Sequence, residues 1–302
     1  MANTKSSKKT TKKSATKPKT VEAKLEESKK VETVEKIMET KQKVCLLKGF
    51  FARKYDANEN ILTIFKTPRI WGALAGELIG TMLLAMLLLT LGVYQPLYLM
   101  FGMIGITMAV YAISGAHLNP VTTVGMMATR RVSAIRGVLY IVAQVVGAWL
   151  GMLVVNSFRL AGNSTAELPV MAKLVDETLL ACLFIEFMGA MIIGFFFNRA
   201  QSYKTQHGAF TYAAMAAGGL TLAVLLGIVI SGNFLKLQNN FMMNPAIAIM
   251  FQIFPSSAEN FGALIGQIWM AFAIYMLLPM IGGVIGAYLS ELTTRLAVEE
   301  KA

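Results

Sequence analysis

Six stretches of the sequence are long and apolar enough to cross a lipid bilayer. A helical span needs roughly 20 apolar residues to cover about 30 Å of hydrocarbon. Because 55% of the 302 residues are hydrophobic and 15% are charged, the composition is too apolar for a water-soluble protein of this length. The sequence predicts an all-α membrane protein with spans at about residues 70–92, 96–114, 136–157, 178–198, 210–231 and 264–291.

Most of the positive charge precedes the first span. Residues 1–69 hold 18 of the 28 Lys and Arg residues, and a chain with so little to bury is expected to be disordered to about Lys41. We interpret 1–69 as a solvated tail with a membrane-proximal segment, 70–292 as the membrane domain and 293–302 as a C-terminal tail. Contact of the basic tail with anionic lipid or with nucleic acid is the alternative to a merely solvated tail.

Basic residues between the spans indicate the orientation of the chain. Arg130, Arg131 and Arg136 lie between the second and third spans, and Arg199 and Lys204 lie between the fourth and fifth. These loops share a side with the basic tail, and basic residues are enriched on the cytoplasmic side of membrane proteins. We therefore expect a multi-pass protein of the cell membrane with both termini in the cytoplasm.

Cysteine and histidine are too few to support a metal centre, a disulfide framework or a nucleophilic catalytic site. The chain contains Cys45, Cys182, His117 and His207, and the two cysteines fall in separate segments. We expect no disulfide, metal, cofactor or enzymatic activity.

The dipeptide Asn-Pro occurs twice, each time at the head of a short apolar run, in "GAHLNPVTTV" (115–124) and "FMMNPAIAIM" (241–250). Asn is a favoured helix N-cap and Pro is favoured at the first helical position. Runs from Asn119 to about Ala128 and from Asn244 to about Phe254 would cover roughly 15 Å as helix, half a bilayer, with Pro255 ending the second. The sequence predicts two re-entrant half-helices.

The two halves of the membrane domain resemble each other. "GELIGTM" (76–82) and "IEFMGAM" (185–191) share the pattern Glu-x-x-Gly-x-Met, so that Glu77 corresponds to Glu186. "AQVVGAWLG" (143–151) and "LPMIGGVIG" (278–286) share small residues that let helices approach closely. Three spans per half place the second half upside down in the membrane, as an inverted repeat.

In an inverted repeat the two half-helices meet head to head at the bilayer midplane. Loops 114–119 and 232–244 would line a watery path, since non-helical backbone at membrane depth is otherwise not tolerated. Two helix N-termini, each carrying about half a positive charge, would repel cations there. The amides of Asn119 and Asn244 can donate hydrogen bonds, which suits water or neutral hydroxyl-bearing solutes.

"SGAHLNPV", "MNPA" and the repeated Glu-x-x-Gly spans resemble the major intrinsic protein family of aquaporins and glycerol facilitators. The resemblance covers about residues 70–292 and implies an aquaporin-like fold, a homotetramer with one pore per subunit, passive conduction and no cofactor. It implies that the carboxyl groups of Glu77 and Glu186, together with His117, support the loops. The pore midplane it implies comprises Asn119, Pro120, Val121, Asn244, Pro245 and Ala246.

The second loop, "GNFLKLQNNFMMNPAI", is similar to that of the glycerol-facilitator branch. By this resemblance Gly232 replaces the histidine of water-selective members and Phe241 is an aromatic residue of the selectivity filter. The filter position on the second span is occupied by the aromatic Phe101 if the alignment contains a two-residue deletion, and by Leu99 if it contains none.

Two positions depart from the family pattern. Val121 replaces the first Ala of Asn-Pro-Ala and suggests a small narrowing at the midplane. Ile247 stands where the family has a filter Arg, which predicts a wider and more apolar outer constriction. A channel for small neutral solutes is the favoured interpretation, and the alternative is a membrane-anchored scaffold with a vestigial or gated pore that presents the basic tail.

Overall fold

The computed structural model describes residues 29–38, 40, 61–91, 95–163, 176–234, 241–251 and 261–299. These residues form helices and their connections, without a strand among them. The chain divides into two compact units, Met1–Gly49 and Phe50–Ala302.

In the first unit, residues 29–38 form an exposed helix. Lys36 Nζ lies 2.7 Å from Glu32 Oε1, one turn away, and such pairs stabilise exposed helices. The sequence has neither Pro nor Gly between Thr20 and Lys48, so nothing in its local chemistry interrupts a helix here. The prediction of disorder to Lys41 is therefore wrong for residues 29–38.

The second unit contains the six spans predicted from the sequence, which we number 1 to 6. The prediction is confirmed with shifts of a few residues at the ends. The spans are Pro68–Leu91, Pro96–Ser114, Ala134–Ala161, Leu179–Tyr203, Gly208–Gly232 and Ile265–Leu296.

Both ends of the membrane domain extend further than predicted. A short helix, Ile61–Ile64, precedes span 1, and the last helix, Leu278–Glu299, continues beyond residue 292. Arg199 Nη2 donates to Thr293 Oγ1 at 2.7 Å, so the start of the predicted C-terminal tail packs against span 4.

Spans 4 and 5 belong to one helical segment, Asp176–Ile228, that is broken at Gly208. Gly208 has φ 79°, a conformation that glycine adopts without the steric cost of a Cβ atom. The segment continues as a π-helical turn at Val229–Phe234.

Span 6 also contains a π-helical turn. The helix Phe261–Phe272 passes through Ala273–Leu277 into Leu278–Glu299, and Leu278 N donates to Ala273 O, five residues back. Pro279 follows directly, and proline lacks an N–H and crowds the carbonyl four residues before it. Pro279 accounts for the irregular turn, and such turns are frequent at functional sites.

The predicted half-helices are present between the spans. The first is Pro120–Ala128. The second is Pro245–Ala248, which continues as the 3₁₀ turn Ile249–Phe251; its predicted end at Phe254 and Pro255 lies outside the described residues.

Glycines on spans 3 and 6 bring the repeated helices into backbone contact. A Cβ atom on Gly147 would lie 2.2 Å from Leu78 O, and one on Gly151 would lie 2.6 Å from Met82 O. In the second half, a Cβ atom on Gly282 would lie 2.4 Å from Phe187 O. Span 1 therefore packs on span 3, and span 4 packs on span 6, through the same pair of helix surfaces.

We expect Gly286→Ala to reduce the thermal stability of the folded channel strongly. Its Cβ atom would lie 1.9 Å from Met191 O, and because that atom is backbone the helices would have to move apart, at a cost of about 1–3 kcal/mol or more. Gly105→Ala on span 2 is the matched control, because its Cβ atom meets nothing within 4 Å. Thermal unfolding of the purified proteins in detergent compares them, and equal midpoints would contradict the close crossing.

Candidate solute-conducting site

Each half-helix begins at the Asn of an Asn-Pro pair. Asn119 Oδ1 accepts a hydrogen bond from Val121 N at 2.8 Å, and Asn244 Oδ1 accepts one from Ala246 N at 3.2 Å. The prolines that follow occupy the first helical turn, where a missing N–H costs nothing. At each helix start the asparagine side chain therefore pairs one N–H group that lacks a partner within the helix.

The same two asparagines connect the halves of the molecule. Asn119 Nδ2 donates to Met243 O at 2.9 Å, and Asn244 Nδ2 donates to Leu118 O at 3.1 Å. The two half-helices thus meet N-terminus to N-terminus, as the inverted repeat predicts. Each amide carries a second N–H that is chemically available to a solute.

A buried glutamate holds each loop in front of its asparagine. Glu77 Oε1 and Oε2 accept from the backbone N–H groups of His117 at 2.9 Å and Leu118 at 2.8 Å. In the second half, the carboxyl group of Glu186 accepts from the backbone N–H groups of Met242 and Met243. These are the loop-supporting contacts that the resemblance implies.

The glycine in the Glu-x-x-Gly pattern makes room for the loop. Leu118 and Met243 have left-handed backbones, with φ 55° and 51°, and their side chains point at span 1 and span 4. A Cβ atom on Gly80 would lie 2.4 Å from Leu118 Cδ2, and one on Gly189 would lie 2.1 Å from Met243 Sδ. The carboxyl group therefore fixes the loop backbone, and the glycine three residues later accepts its side chain.

The first loop has additional polar support that the sequence analysis missed. Gln144 Nε2 donates to Glu77 Oε2 at 2.8 Å and to Thr123 Oγ1 at 2.9 Å. Tyr212 donates its hydroxyl to Gly115 O. In the aligned repeat segments "AQVVGAWLG" and "LPMIGGVIG", Gln144 corresponds to Pro279, which has no donor, so the two glutamates are supported differently.

His117 supports the first loop. Its Nδ1 atom lies 3.2 Å from Thr123 Oγ1, and its ring packs edge-on against Tyr140 and Phe197. The side chain is buried. These contacts fix the orientation of the imidazole.

A cavity of about 30 Å³ lies beside the two asparagines. It is large enough for water, since one buried water needs roughly 10–15 Å³. Of the described residues that border it, none is charged. They are Leu84, Leu88, Leu99, Met103, His117, Asn119, Thr122, Ile193, Phe197, Ala216, Leu220, Val224, Phe241, Met242 and Asn244.

The structure decides between the two candidate residues on span 2. Leu99 is fully buried and borders the cavity, whereas the side chain of Phe101 is 66% exposed and points away from it. Two helical positions separate the residues by about 200°, so only one can face the pore. The prediction of Phe101 as a filter residue is wrong. Phe241 is buried and borders the cavity.

The remaining predicted site residues take different positions around the cavity. Pro120, Pro245 and Ala246 are buried at the helix starts. Gly232 is half-buried, and a Cβ atom there would meet nothing within 4 Å.

The two residues that depart from the family pattern do not border the cavity. A Cβ atom on Gly283 of span 6 would lie 2.4 Å from Val121 Cγ1, so the extra methyl groups of Val121 are directed at a glycine. The narrowing suggested for Val121 is therefore not found. Ile247 is fully buried within the hydrophobic core.

A family comparison matches most of the membrane domain. The model of the family described as "Major intrinsic protein" matches residues 64–290. The chain belongs to the major intrinsic protein family. The resemblance drawn from the two Asn-Pro runs is confirmed, and membership makes this chain a passive channel for water or small solutes.

The similar relatives include proteins named as glycerol facilitators and proteins named as aquaporins. The chain is 28% identical over 224 residues to "Glycerol uptake facilitator protein-like 6" of Lactiplantibacillus plantarum, covering 70% of this chain and 93% of the relative. It is 29% identical over 254 residues to human "Aquaporin-4", covering 77% and 71%. The fold is similar to the aquaglyceroporin structure from Plasmodium falciparum, with TM-score 0.52 and 18% identity over 74% of this chain and 94% of that one.

We expect Asn119→Asp to lower solute flux while leaving the half-helix in place. The aspartate keeps the oxygen that caps Val121 N, and a negative charge is favourable at a helix N-terminus. It loses the donor to Met243 O and places two acceptors against each other, a defect of about 1–3 kcal/mol. Stopped-flow vesicle swelling at matched protein density measures the loss.

Asn244→Asp tests the same bridge from the other half, where the lost contact is to Leu118 O. We expect a similar loss, because the two bridges are equivalent. Asn119→Ala, which removes the cap as well as the bridge, should be worse than Asn119→Asp. Wild-type flux in both aspartate variants would show that the bridges do not shape the path.

Proposed function

We propose that this protein conducts small neutral solutes of about the size of glycerol, as well as water, passively across the cell membrane. The observation that carries the proposal is the uncharged cavity at the meeting point of two asparagine-capped half-helices. Its polar groups are those of Asn119, Asn244, Thr122 and His117, and leucine, isoleucine, valine, methionine, alanine and phenylalanine form most of the remaining wall.

This division of the wall suits a molecule with hydroxyl groups along one edge and carbon–hydrogen groups along the other. The amides of Asn119 and Asn244 donate to the solute, and the apolar side chains contact its carbon skeleton. Polyols have this character. A water molecule forms hydrogen bonds with the polar groups of the wall and needs no contact with the apolar side chains.

Ions are excluded by two physical effects that need no charged filter residue. A charge loses its hydration in a passage lined by apolar side chains, which costs several kcal/mol. Cations are also opposed by the partial positive charges at the starts of Pro120–Ala128 and Pro245–Ala248.

The narrow part of the path is proposed to lie between Leu99 and Phe241, with Gly232 leaving space in one wall. Where the family has Arg, Ile247 is buried in the core, so no long cationic side chain at this position competes with the solute for space. A wide, apolar constriction favours polyols over a strict preference for water.

The assembly and orientation are proposed from the family and the charge pattern. Family membership supports a homotetramer with one pore per subunit. The outer face of span 2, with Leu97, Tyr98 and Phe101 64–66% exposed, is suited to contact lipid or a neighbouring subunit. Arg130, Arg131 and Arg136 support a cytoplasmic position for both termini.

Vesicle swelling tests the proposed solute class directly. In proteoliposomes, the purified protein should accelerate swelling in an inward glycerol gradient relative to protein-free vesicles. It should also accelerate the volume change that follows an osmotic step with an impermeant osmolyte, which measures water permeability. Ionic conductance across the same membranes should stay at background. Absence of any solute-dependent swelling would support the alternative, a scaffold with a closed or vestigial pore.

We expect Phe241→Ala to raise the permeability to polyols larger than glycerol more than the permeability to water, since it removes an aromatic ring from the cavity wall. The Phe241 ring packs on Gly227, where a Cβ atom would lie 2.7 Å from Phe241 Cε2, so no flexible side chain refills the space.

Phe101→Ala is the matched control for this experiment. It removes the same ring from the outer face of span 2 and should leave the polyol-to-water permeability ratio unchanged. If Phe101→Ala altered the ratio and Phe241→Ala did not, the assignment of the conducting wall would be wrong.

A further inference from the structure

The helix at residues 29–38 carries an apolar stripe that nothing covers within the described residues of the first unit. Val31, Val34 and Met38 follow the spacing i, i+3, i+7, and Ile37 lies beside them. Their side chains are 50–63% exposed. Such spacing places the four residues on one side of a helix.

The opposite side of this helix is charged. Glu32 and Lys36 form an ion pair at 2.7 Å on the polar face, and Thr33 lies about 100° round the helix from Val34. Lys30 lies on the side of the stripe, between the directions of Ile37 and Val34, and a lysine in this position can extend its ammonium group away from an apolar surface. Glu35 lies next to the stripe on the side of Val31. The helix is therefore amphipathic rather than uniformly polar.

The first 19 residues of the chain are strongly basic and contain no acidic residue, and Glu22, Glu26 and Glu27 lie between them and the helix. Residues 1–19 contain seven lysines: Lys5, Lys8, Lys9, Lys12, Lys13, Lys17 and Lys19. Each lysine near an anionic lipid surface strengthens association roughly fivefold. A short apolar stripe alone binds a bilayer weakly, and a basic segment supplies the second signal that stable attachment needs.

The tether between the helix and the membrane domain is short. Residues 39–60 separate the helix from Ile61, and 22 residues span at most about 80 Å when fully extended. The helix therefore stays near a bilayer surface at high effective concentration, which favours the lipid over a soluble partner.

We propose that residues 29–38 lie on the anionic surface of the membrane in which the channel is embedded. Val31, Val34, Ile37 and Met38 enter the headgroup region, and the lysines before the helix hold it there by charge. The partner is the lipid surface, not nucleic acid and not a second copy of the chain.

Full-length protein in lipid nanodiscs tests this proposal. A Cys45→Ser background leaves Cys182, which is fully buried, and an environment-sensitive fluorophore is attached at Val34→Cys. The same label at Thr33→Cys, on the polar flank, is the matched control. Discs contain phosphatidylcholine alone or phosphatidylcholine with phosphatidylglycerol, and emission wavelength and acrylamide quenching are measured.

In discs with phosphatidylglycerol, the label at residue 34 should emit at shorter wavelength and lose severalfold in quenching, while the label at residue 33 remains quenched. The effect should weaken in high salt, since it depends on charge. Replacing the seven lysines by glutamine should abolish the change in emission and quenching. The double substitution Val31→Ser and Ile37→Ser should abolish it as well.

Three results would overturn the proposal: equal signals in both kinds of disc, a shift that appears only when DNA or RNA is added, and a shift that depends on the number of channel copies per disc. The swelling of proteoliposomes does not depend on any of these three results, so the proposed channel function is tested separately.

Discussion

The hydrogen bonds from loop backbone to two buried carboxyl groups are the contacts on which the rest of the channel depends. Leu118 and Met243 are non-glycine residues in left-handed conformations, each of which costs about 1–3 kcal/mol, and they lie at membrane depth. Glu77 and Glu186 accept their N–H groups and so hold the turns that lead into the half-helices. Without those turns the asparagines could not reach across the midplane.

The two halves support their loops with different numbers of hydrogen-bond donors. The first carboxyl group has a third donor in Gln144, which also reaches Thr123. The corresponding residue in the second half is Pro279, which provides no donor and accompanies a π-helical turn in span 6. The carboxyl group of Glu186 therefore accepts from two backbone N–H groups, without an equivalent of the Gln144 side-chain donor among the described contacts.

The fold could be predicted from the sequence because the signals that specify it are local and repeated. Apolar length predicted the spans, Asn-Pro predicted the half-helix starts, and the Glu-x-x-Gly pattern predicted the inverted repeat. Prediction from the sequence failed where the answer depends on rotation about a helix axis: Phe101 and Leu99 are equally apolar, and only packing shows which one faces the pore. The role of Gln144 was also missed, although this residue lies inside the repeat segment 143–151. The partners of a polar residue in an apolar span are known only once the helices are packed.

The substitutions at the family's motif positions have different structural consequences. Val121 is compensated, because its methyl groups meet Gly283, so the departure alters the packing of span 6 and leaves the cavity wall unchanged. Ile247 removes a cation from the family's filter position and is itself buried in the core. In the function that we propose, selectivity at the described cavity depends on the size of Leu99 and Phe241 and on the dipoles of the half-helices. Such a channel would reject ions by the cost of dehydration and would select neutral solutes by shape.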